Sequence, residues 1–151
     1  MIEAGQPAPS FTLPDQDGTE VSLSDFAGRK LVLVFYPLDF SPTCTDQLSV
    51  YQEVLGEMEQ SGAALAGVSV DSFFCHRAFS GHLGLTFPLL ADFHPKGEMS
   101  KRYGTYVEEN GTTVRALVLV GEDGIVRWTH VATSLGEFPG ANLIFDALAA
   151  S

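Results

Sequence analysis

Two apolar segments, residues 31–36 and 63–70, constrain the fold of this 151-residue chain more than any other feature. The first is an unbroken run without a charged side chain, and it predicts a strand buried on both faces of a sheet. The second predicts another buried strand. Between them, a helical pattern places four apolar side chains on one stripe: Leu48, Tyr51, Leu55 and Met58. A strand, a helix and a second buried strand predict a parallel pair joined by a right-handed crossover, and hence an α/β fold.

Shorter elements are predicted on both sides of this unit. Two β-hairpins are expected, each a pair of apolar segments around an Asp-Gly turn: residues 11–13 with 20–23, and 113–120 with 125–130. Residues 87–91 contain Pro88, which predicts an edge strand or a loop. Three further helices are predicted from their apolar spacing and from capping residues: 72–83, 98–103 and 140–150.

Length and composition predict a single domain over residues 1–151, since 45% hydrophobic and 18% charged residues are typical of a globular protein. The net charge of −11 repels phosphate backbones and anionic lipid, so neither nucleic acid nor a membrane is expected as a partner. The first residues show no signal-peptide pattern, and no apolar run approaches the roughly 20 residues that span a bilayer, so a cytoplasmic protein is expected. Two cysteines in such a chain predict reduced thiols.

Cys44 falls at a position that favours a reactive thiol. Ser41 followed by Pro42 is typical of a helix N-terminus, with Ser41 as the N-cap and Pro42 as the first helical residue. Cys44 then lies in the first turn, where free backbone N–H groups and the helix dipole favour a negatively charged sulfur. We therefore predict that Cys44 is a nucleophile; the alternative is a small buried hydrophobic residue.

The segment Pro37-x-x-x-Ser41-x-x-Cys44 resembles the active-site signature of the peroxiredoxins, with serine where most members carry threonine. The resemblance continues along most of the chain, in four further segments: 5–13, 68–72, 86–92 and 114–119. Within the family, the chain is most similar to alkyl hydroperoxide reductase E-like and bacterioferritin-comigratory-protein-like members. The resemblance implies a thioredoxin-like fold of the peroxiredoxin type, with helices on both sides of a central mixed sheet and an N-terminal β-hairpin extension.

The resemblance also implies an activity and a set of site residues. It implies a thiol-dependent peroxidase that needs no cofactor and reduces hydrogen peroxide and organic hydroperoxides through a sulfenic acid on Cys44. Arg115 matches the family arginine that contacts thiolate and peroxide, Pro37 matches the residue that shields the thiolate, and Ser41 keeps the usual hydroxyl. Strand alternation independently places Arg115 on the side of Leu117. A strand-end ion pair is the alternative for Arg115.

Cys75 has two open interpretations. It follows the second buried strand as Cys44 follows the first, so both thiols are expected beyond the same carboxyl edge of the sheet. Cys75 would then resolve the sulfenic acid of Cys44. The alternative is a cysteine that packs the helix beside Phe73 and Phe74. At the position of the resolving cysteine in bacterioferritin-comigratory-type members, this chain carries Ser49.

Several other side chains are predicted to have ordinary roles. Gln47 stands where many family members carry glutamate, so a charged partner for the arginine is not expected there. The histidines show no metal-ligand spacing, and no metal site is expected; they are His76, His82, His94 and His130. Three phenylalanines are predicted to lie in the core: Phe73, Phe74 and Phe79.

The expected partners are a hydroperoxide substrate and a thiol reductant. The reductant would be a thioredoxin- or glutaredoxin-like protein or a low-molecular-weight thiol, and the chain would be a monomer or a homodimer. Two other functions remain open. Ser41-Pro42-Thr43-Cys44 resembles a C-x-x-C motif without its first cysteine, which is compatible with a disulfide reductase. A peroxide sensor without enzymatic turnover is the other alternative.

Overall fold

The computed structural model describes residues 1–134 and 136–151. The described residues form nine strands: β1 (Thr12–Pro14), β2 (Glu20–Ser22), β3 (Lys30–Phe35), β4 (Ala63–Ser69), β5 (Leu89–Ala91), β6 (Tyr106–Val107), β7 (Thr112–Thr113), β8 (Ala116–Val120) and β9 (Val126–Val131). In the same part of the chain there are five α-helices: α1 (Pro42–Glu53), α2 (Leu55–Gln60), α3 (Phe73–Leu83), α4 (Glu98–Tyr103) and α5 (Ala141–Ala150). A short 3-10 helix covers Leu23–Phe26.

Five of the strands form a mixed sheet in the spatial order β5-β4-β3-β8-β9. The β3, β4 and β5 strands run parallel, whereas β8 pairs antiparallel with both β3 and β9. The predicted parallel pair is therefore confirmed, and residues 87–91 contain an edge strand as expected. The predicted N-terminal hairpin is the separate two-stranded sheet of β1 and β2. No helix in the described ranges is long and apolar enough to cross a membrane.

The alternation of side chains along the central strands divides the core into two layers. Val32 and Val34 of β3 pack with residues of α1, α2, α3 and α5. Leu31, Leu33 and Phe35 point to the other face, where they pack with the N-terminal segment, the 3-10 helix and α4. On β8, Leu117 and Leu119 share the face of Val34 and of Cys44. Arg115 lies one residue before β8 and two residues before Leu117, so the same alternation directs its side chain towards the layer that contains Cys44.

Two predicted elements differ from the structure. The helix after Cys44 is divided at Val54, where φ is −108° and ψ is 9°, although its apolar stripe stays buried as predicted. Val54 and Gly56 are both weak helix formers, which accounts for the break. The strand predicted from residue 113 begins at Ala116 instead. Thr112–Thr113 pairs with β6 in a small hairpin, and residues 108–111 form its turn.

The prediction for the three phenylalanines is partly wrong. Phe79 is fully buried, but Phe74 is 65% exposed and Phe73 is partly exposed. The buried face of α3 is formed by His76, Phe79 and Ser80. Phe74 lies two residues before His76, which on a helix is the opposite side, so it points to solvent.

Gly67 of β4 marks a close contact in the sheet. A Cβ atom there would lie 2.8 Å from Leu89 Cδ2 and 3.2 Å from Tyr36 Cε1. We expect Gly67→Ala to lower the free energy of unfolding by about 1–3 kcal/mol, because the two neighbours would have to move. Gly56→Ala is the matched control: nothing lies within 4 Å of its Cβ position, and alanine favours the helix by up to ~1 kcal/mol. Equal stability of the two variants in urea unfolding would contradict this account.

Candidate active site

The Cys44 helix begins as the sequence predicts. Ser41 is the N-cap of α1, Pro42 is its first residue, and the Ser41 Oγ accepts a hydrogen bond from Cys44 N at 3.4 Å. The Cys44 side chain is fully buried at the carboxyl end of β3. Its sulfur therefore lies in the first turn of the helix, close to the free N–H groups.

Arg115 contacts the thiol of Cys44. Ala116 pairs with Phe35 at the end of β3, so Arg115, one residue earlier, lies beside the loop from which α1 starts. Its Nη1 donates to Cys44 Sγ at 3.3 Å and to Gln47 Oε1 at 2.6 Å. The residue is only 2% exposed. A buried guanidinium against a thiol at a helix N-terminus provides the positive potential that stabilises a thiolate.

Gln47 continues this contact into a buried chain of hydrogen bonds. Its Nε2 donates to the Tyr51 hydroxyl at 3.2 Å, and the Tyr51 hydroxyl donates to the carbonyl oxygen of Pro139. Burial raises the pKa of Tyr51 to about 12, so the phenol keeps the proton that it donates. Gln47 and Tyr51 thus hold Arg115 in place and connect it to the segment before α5.

Pro37 and Phe40 belong to the loop between β3 and α1. Pro37 is partly buried and directly follows Tyr36 at the end of the strand. Phe40 is half exposed and has a φ of +67°, in the left-handed region. This conformation costs a non-glycine residue about 1–2 kcal/mol, so the rest of the structure must hold it.

Cys75 repeats the local geometry of Cys44 in a different electrostatic environment. Ser72 is the N-cap of α3, and its Oγ accepts from Cys75 N at 3.3 Å. The thiol of Cys75, however, donates to Asp71 Oδ1 at 3.7 Å. Burial, together with the charges of Asp39 and Asp71, raises the pKa of Cys75 to about 12. Cys75 is therefore a neutral thiol at physiological pH.

Known proteins resemble this chain over most of its length. The AhpC/TSA family model matches residues 4–129. Alkyl hydroperoxide reductase E of Mycobacterium tuberculosis is 37% identical over 151 residues, which are 99% of this chain and 98% of that protein. The chain belongs to the AhpC/TSA family. A putative peroxiredoxin, bcp, of Coxiella burnetii is 34% identical over 83% of this chain and 85% of its own length.

Solved structures of AhpC/TSA proteins share the fold. Enterococcus faecalis AhpC has a TM-score of 0.91 at 27% identity, covering 99% of this chain and 92% of that one. Peroxidoxin BcpB from Mycobacterium tuberculosis has a TM-score of 0.84 at 25% identity, covering 99% and 96%. The expected membership of the peroxiredoxins, the thioredoxin-like fold and the function of a thiol-dependent peroxidase are confirmed.

Sequence reasoning missed a second buried network in this AhpC/TSA protein. Asp39 Oδ1 accepts from the Tyr36 hydroxyl at 2.6 Å, and its Oδ2 lies 2.6 Å from His76 Nδ1. The side chains of Asp39 and His76 are both completely buried. The sequence contains one indication of this network, namely that Asp39 lies in the loop before Cys44. Its partners could not be predicted, because Tyr36 lies at the end of β3 and His76 lies in α3, far along the chain.

One group of described residues has the spacing of metal ligands: atoms of Asp39, Asp71 and Cys75 lie within 4.8 Å of one another. Asp71 Oδ2 already accepts hydrogen bonds from Asp39 N and from the Ser69 hydroxyl. These contacts give the carboxylates a structural role in the loops at the sheet edge.

Proposed function

We propose that Cys44 is the residue that reduces hydroperoxides in this peroxidase, with Arg115, Ser41 and Pro37 as its supporting residues. The observation that carries this proposal is the 3.3 Å contact from Arg115 Nη1 to Cys44 Sγ at the start of α1. The substrates are hydrogen peroxide and organic hydroperoxides, and the products are water or an alcohol.

The reaction is a displacement at oxygen. The thiolate sulfur of Cys44 attacks one peroxide oxygen, so that an S–O bond forms while the O–O bond breaks. The second oxygen leaves with the electron pair and takes up a proton to become water or an alcohol. The sulfur is oxidised by two electrons to a sulfenic acid, and the peroxide is reduced by the same two electrons.

Thiolate formation alone cannot account for rapid catalysis. An ordinary cysteine is about 3% ionised at pH 7, so complete ionisation gains roughly 30-fold, or about 2 kcal/mol. Enzymes typically lower barriers by about 8 kcal/mol or more. We assign most of the remainder to hydrogen-bond donors around the two oxygens: the Arg115 guanidinium, the Ser41 hydroxyl and the first N–H groups of α1. Pro37 limits the access of water to the sulfur.

Stopped-flow reaction of the reduced protein with hydrogen peroxide and with one organic hydroperoxide tests this function. We expect a second-order rate constant at least about 1000-fold above that of free cysteine at the same pH. Turnover with an added thiol reductant separates a peroxidase from a sensor, which would react only once. Reaction at the rate of free cysteine would contradict the proposed role of the site.

The sulfenic acid is resolved by Cys75 in the cycle that we propose. The Cys75 sulfur attacks the Cys44 sulfur, so that an S–S bond forms while the S–O bond of the sulfenic acid breaks. Asp71 takes the proton of the attacking thiol, and this proton passes to the departing hydroxide, which leaves as water. A disulfide needs the two Cα atoms within about 7 Å of each other, and each cysteine lies in the first turn of its own helix. The first turn of α1, that of α3, or both therefore have to unwind before the disulfide forms. A thioredoxin- or glutaredoxin-like protein or a low-molecular-weight thiol then reduces the disulfide, as in a reducing cytoplasm, with the chain a monomer or a homodimer.

Peptide mapping after one equivalent of peroxide tests this cycle. The expected product is a peptide that links Cys44 to Cys75. Persistent sulfenic acid on Cys44, or linkage only between the Cys44 residues of two chains, would instead assign resolution to an outside thiol.

The acidic environment of Cys75 gives a separate prediction. Asp71→Asn removes one of the negative charges that raise the pKa of Cys75, so more thiolate should be present at pH 8 to 9. We expect iodoacetamide to alkylate Cys75 several-fold faster in this variant than in the wild type. Glu53→Gln, on the exposed side of α1, is the control for a general change in charge. The same rate for Cys75 in all three proteins would mean that Asp71 does not control the thiol.

A further inference from the structure

Asp39 connects the loop before Cys44 to the rest of the protein. Its carboxylate contacts Tyr36 at the end of β3 and His76 in α3, each at 2.6 Å. Its backbone N–H donates to Asp71 Oδ2 at 2.9 Å, and Asp71 is in turn bound to the hydroxyl of Ser69 in β4. Asp39 thus connects its loop to the end of β3, to α3 and, through Asp71, to the end of β4.

The contacts of His76 define where its hydrogens lie. Its Nε2 is 3.1 Å from the carbonyl oxygen of Leu90, which can only accept, so Nε2 carries a hydrogen. Its Nδ1 faces a carboxylate oxygen, so one further proton is shared between His76 and Asp39. The Tyr36 hydroxyl stays protonated, because burial and the charge of Asp39 raise its pKa well above the ordinary value. His76 therefore binds Asp39 at one end and the backbone of β5 at the other.

The next residue after Asp39 is the strained one. Phe40 has a φ of +67° and lies between two residues that are held in place. Asp39 is hydrogen-bonded through its carboxylate and its backbone N–H, and Ser41 caps α1. A bulky residue keeps this conformation only where its neighbours are fixed. If Asp39 were released, Phe40 could return to an ordinary φ, and this would move the N-cap and the first turn that carries Cys44.

We propose that His76 is a positioning residue for the peroxidase reaction: through Asp39 it holds the loop 37–41 in the conformation that aligns Cys44 with Arg115. His76 does not contact the reacting atoms. Its effect reaches them through the Asp39 carboxylate, the backbone at Phe40 and the Ser41 cap. The inference rests on the proposed role of Cys44.

Two variants of His76 separate its two hydrogen bonds. The amide of His76→Asn lies near the position of Nδ1 and can donate to Asp39, whereas the amide of His76→Gln lies near Nε2 and can donate to the Leu90 carbonyl. The bond to Asp39 is thus kept in the first variant and lost in the second. A structural role alone would be affected by both variants to a similar degree.

Two rates are measured for each protein: the reaction of Cys44 with hydrogen peroxide, and its alkylation by iodoacetamide. Both reactions use the thiolate, so each rate is measured up to full ionisation of the Cys44 thiol. Under that condition, peroxide reduction still needs Arg115 and Cys44 to be aligned, whereas alkylation needs only access to the sulfur. We expect His76→Gln to slow the peroxide reaction at least 10-fold while alkylation of Cys44 is unchanged or faster. His76→Asn should recover most of the peroxide rate. Unfolding curves confirm that each variant is folded at the temperature of the assay.

Several outcomes would overturn the inference. These are a peroxide rate within threefold of wild type in His76→Gln, equal losses in both His76 variants, and a parallel fall of the peroxide and alkylation rates. If His76→Gln does not fold, Asp39→Ala takes its place, because alanine cannot bind His76, whereas asparagine could still donate to Nδ1 of the ring. The same loss of the peroxide rate, with unchanged alkylation, is expected of this variant. A wild-type protein that does not react with peroxide would instead refute the function of Cys44, so the two failures are distinguishable.

Discussion

Replacing Cys44 with serine is expected to remove peroxide reduction completely while the protein stays folded. The serine hydroxyl is a far weaker nucleophile than a thiolate, and it does not form a sulfenic acid. The side chains are almost the same size, so the buried space around position 44 remains filled. Consumption of hydrogen peroxide in the presence of a thiol reductant measures the loss, and circular dichroism measures the fold.

Cys75→Ser is the matched control for this experiment, because both cysteines follow a serine N-cap at the same spacing. In this variant, the first reaction of Cys44 with peroxide should keep its wild-type rate constant, and only the later disulfide should be lost. Full peroxidase activity in Cys44→Ser would refute the central assignment. A loss of the first step in Cys75→Ser would show that the two thiols do not have separate roles.

Replacing Arg115 with alanine is expected to slow the reaction of Cys44 with peroxide by about 30- to 1000-fold. The guanidinium contacts the sulfur, and in the proposed reaction it is the charged donor for the breaking O–O bond. Loss of one such donor costs roughly 2–4 kcal/mol of transition-state stabilisation. Loss of thiolate alone would account for no more than about 30-fold. Rate constants measured at several pH values, up to full ionisation of the thiol, separate the two effects.

Two further variants complete this experiment. Arg127→Ala removes an exposed arginine of β9, bound to Asp123 at the surface, and should leave the rate unchanged. Arg115→Lys keeps the charge but cannot contact Cys44 and Gln47 in the same planar geometry, so we expect an intermediate rate. A rate within threefold of wild type in Arg115→Ala would make this arginine a structural residue.

Much of the fold follows from local sequence patterns. The run at 31–36 is apolar at every position because both faces of β3 are covered, and this pattern is visible without any tertiary information. Two helices begin at the N-caps Ser41 and Ser72, and two end at the C-caps Gly84 and Gly104, as the capping preferences of serine and glycine predict. The hairpin of β6 and β7 was missed because two-residue strands show no periodicity, although Asn110-Gly111 is a typical hairpin turn.

The parts of the site that depend on neighbouring residues in the sequence could be predicted from the sequence. Cys44 and Ser41 lie on one helical turn, and Arg115 could be placed from the alternation along its strand. The pairing of Asp39 with His76 joins residues 37 positions apart in sequence, and neither has a distinctive spacing. Such contacts depend on which loops the sheet order brings together, so they become visible only once the parallel order of β3, β4 and β5 is known.

The twin Ser-x-x-Cys helix starts have a consequence for how cysteine reactivity is assigned. A survey that ranks thiols by N-cap chemistry and helix position would score Cys44 and Cys75 equally, since the backbone of each donates to a capping serine. The two thiols share the same kind of helix start but differ in the charge beside them. Cys44 faces the guanidinium of Arg115, whereas Cys75 faces two carboxylates. A dilute oxidant should therefore consume the two thiols in a fixed order, with Cys44 first. The chain thus carries its own comparison between a helix start beside a guanidinium and a helix start beside carboxylates.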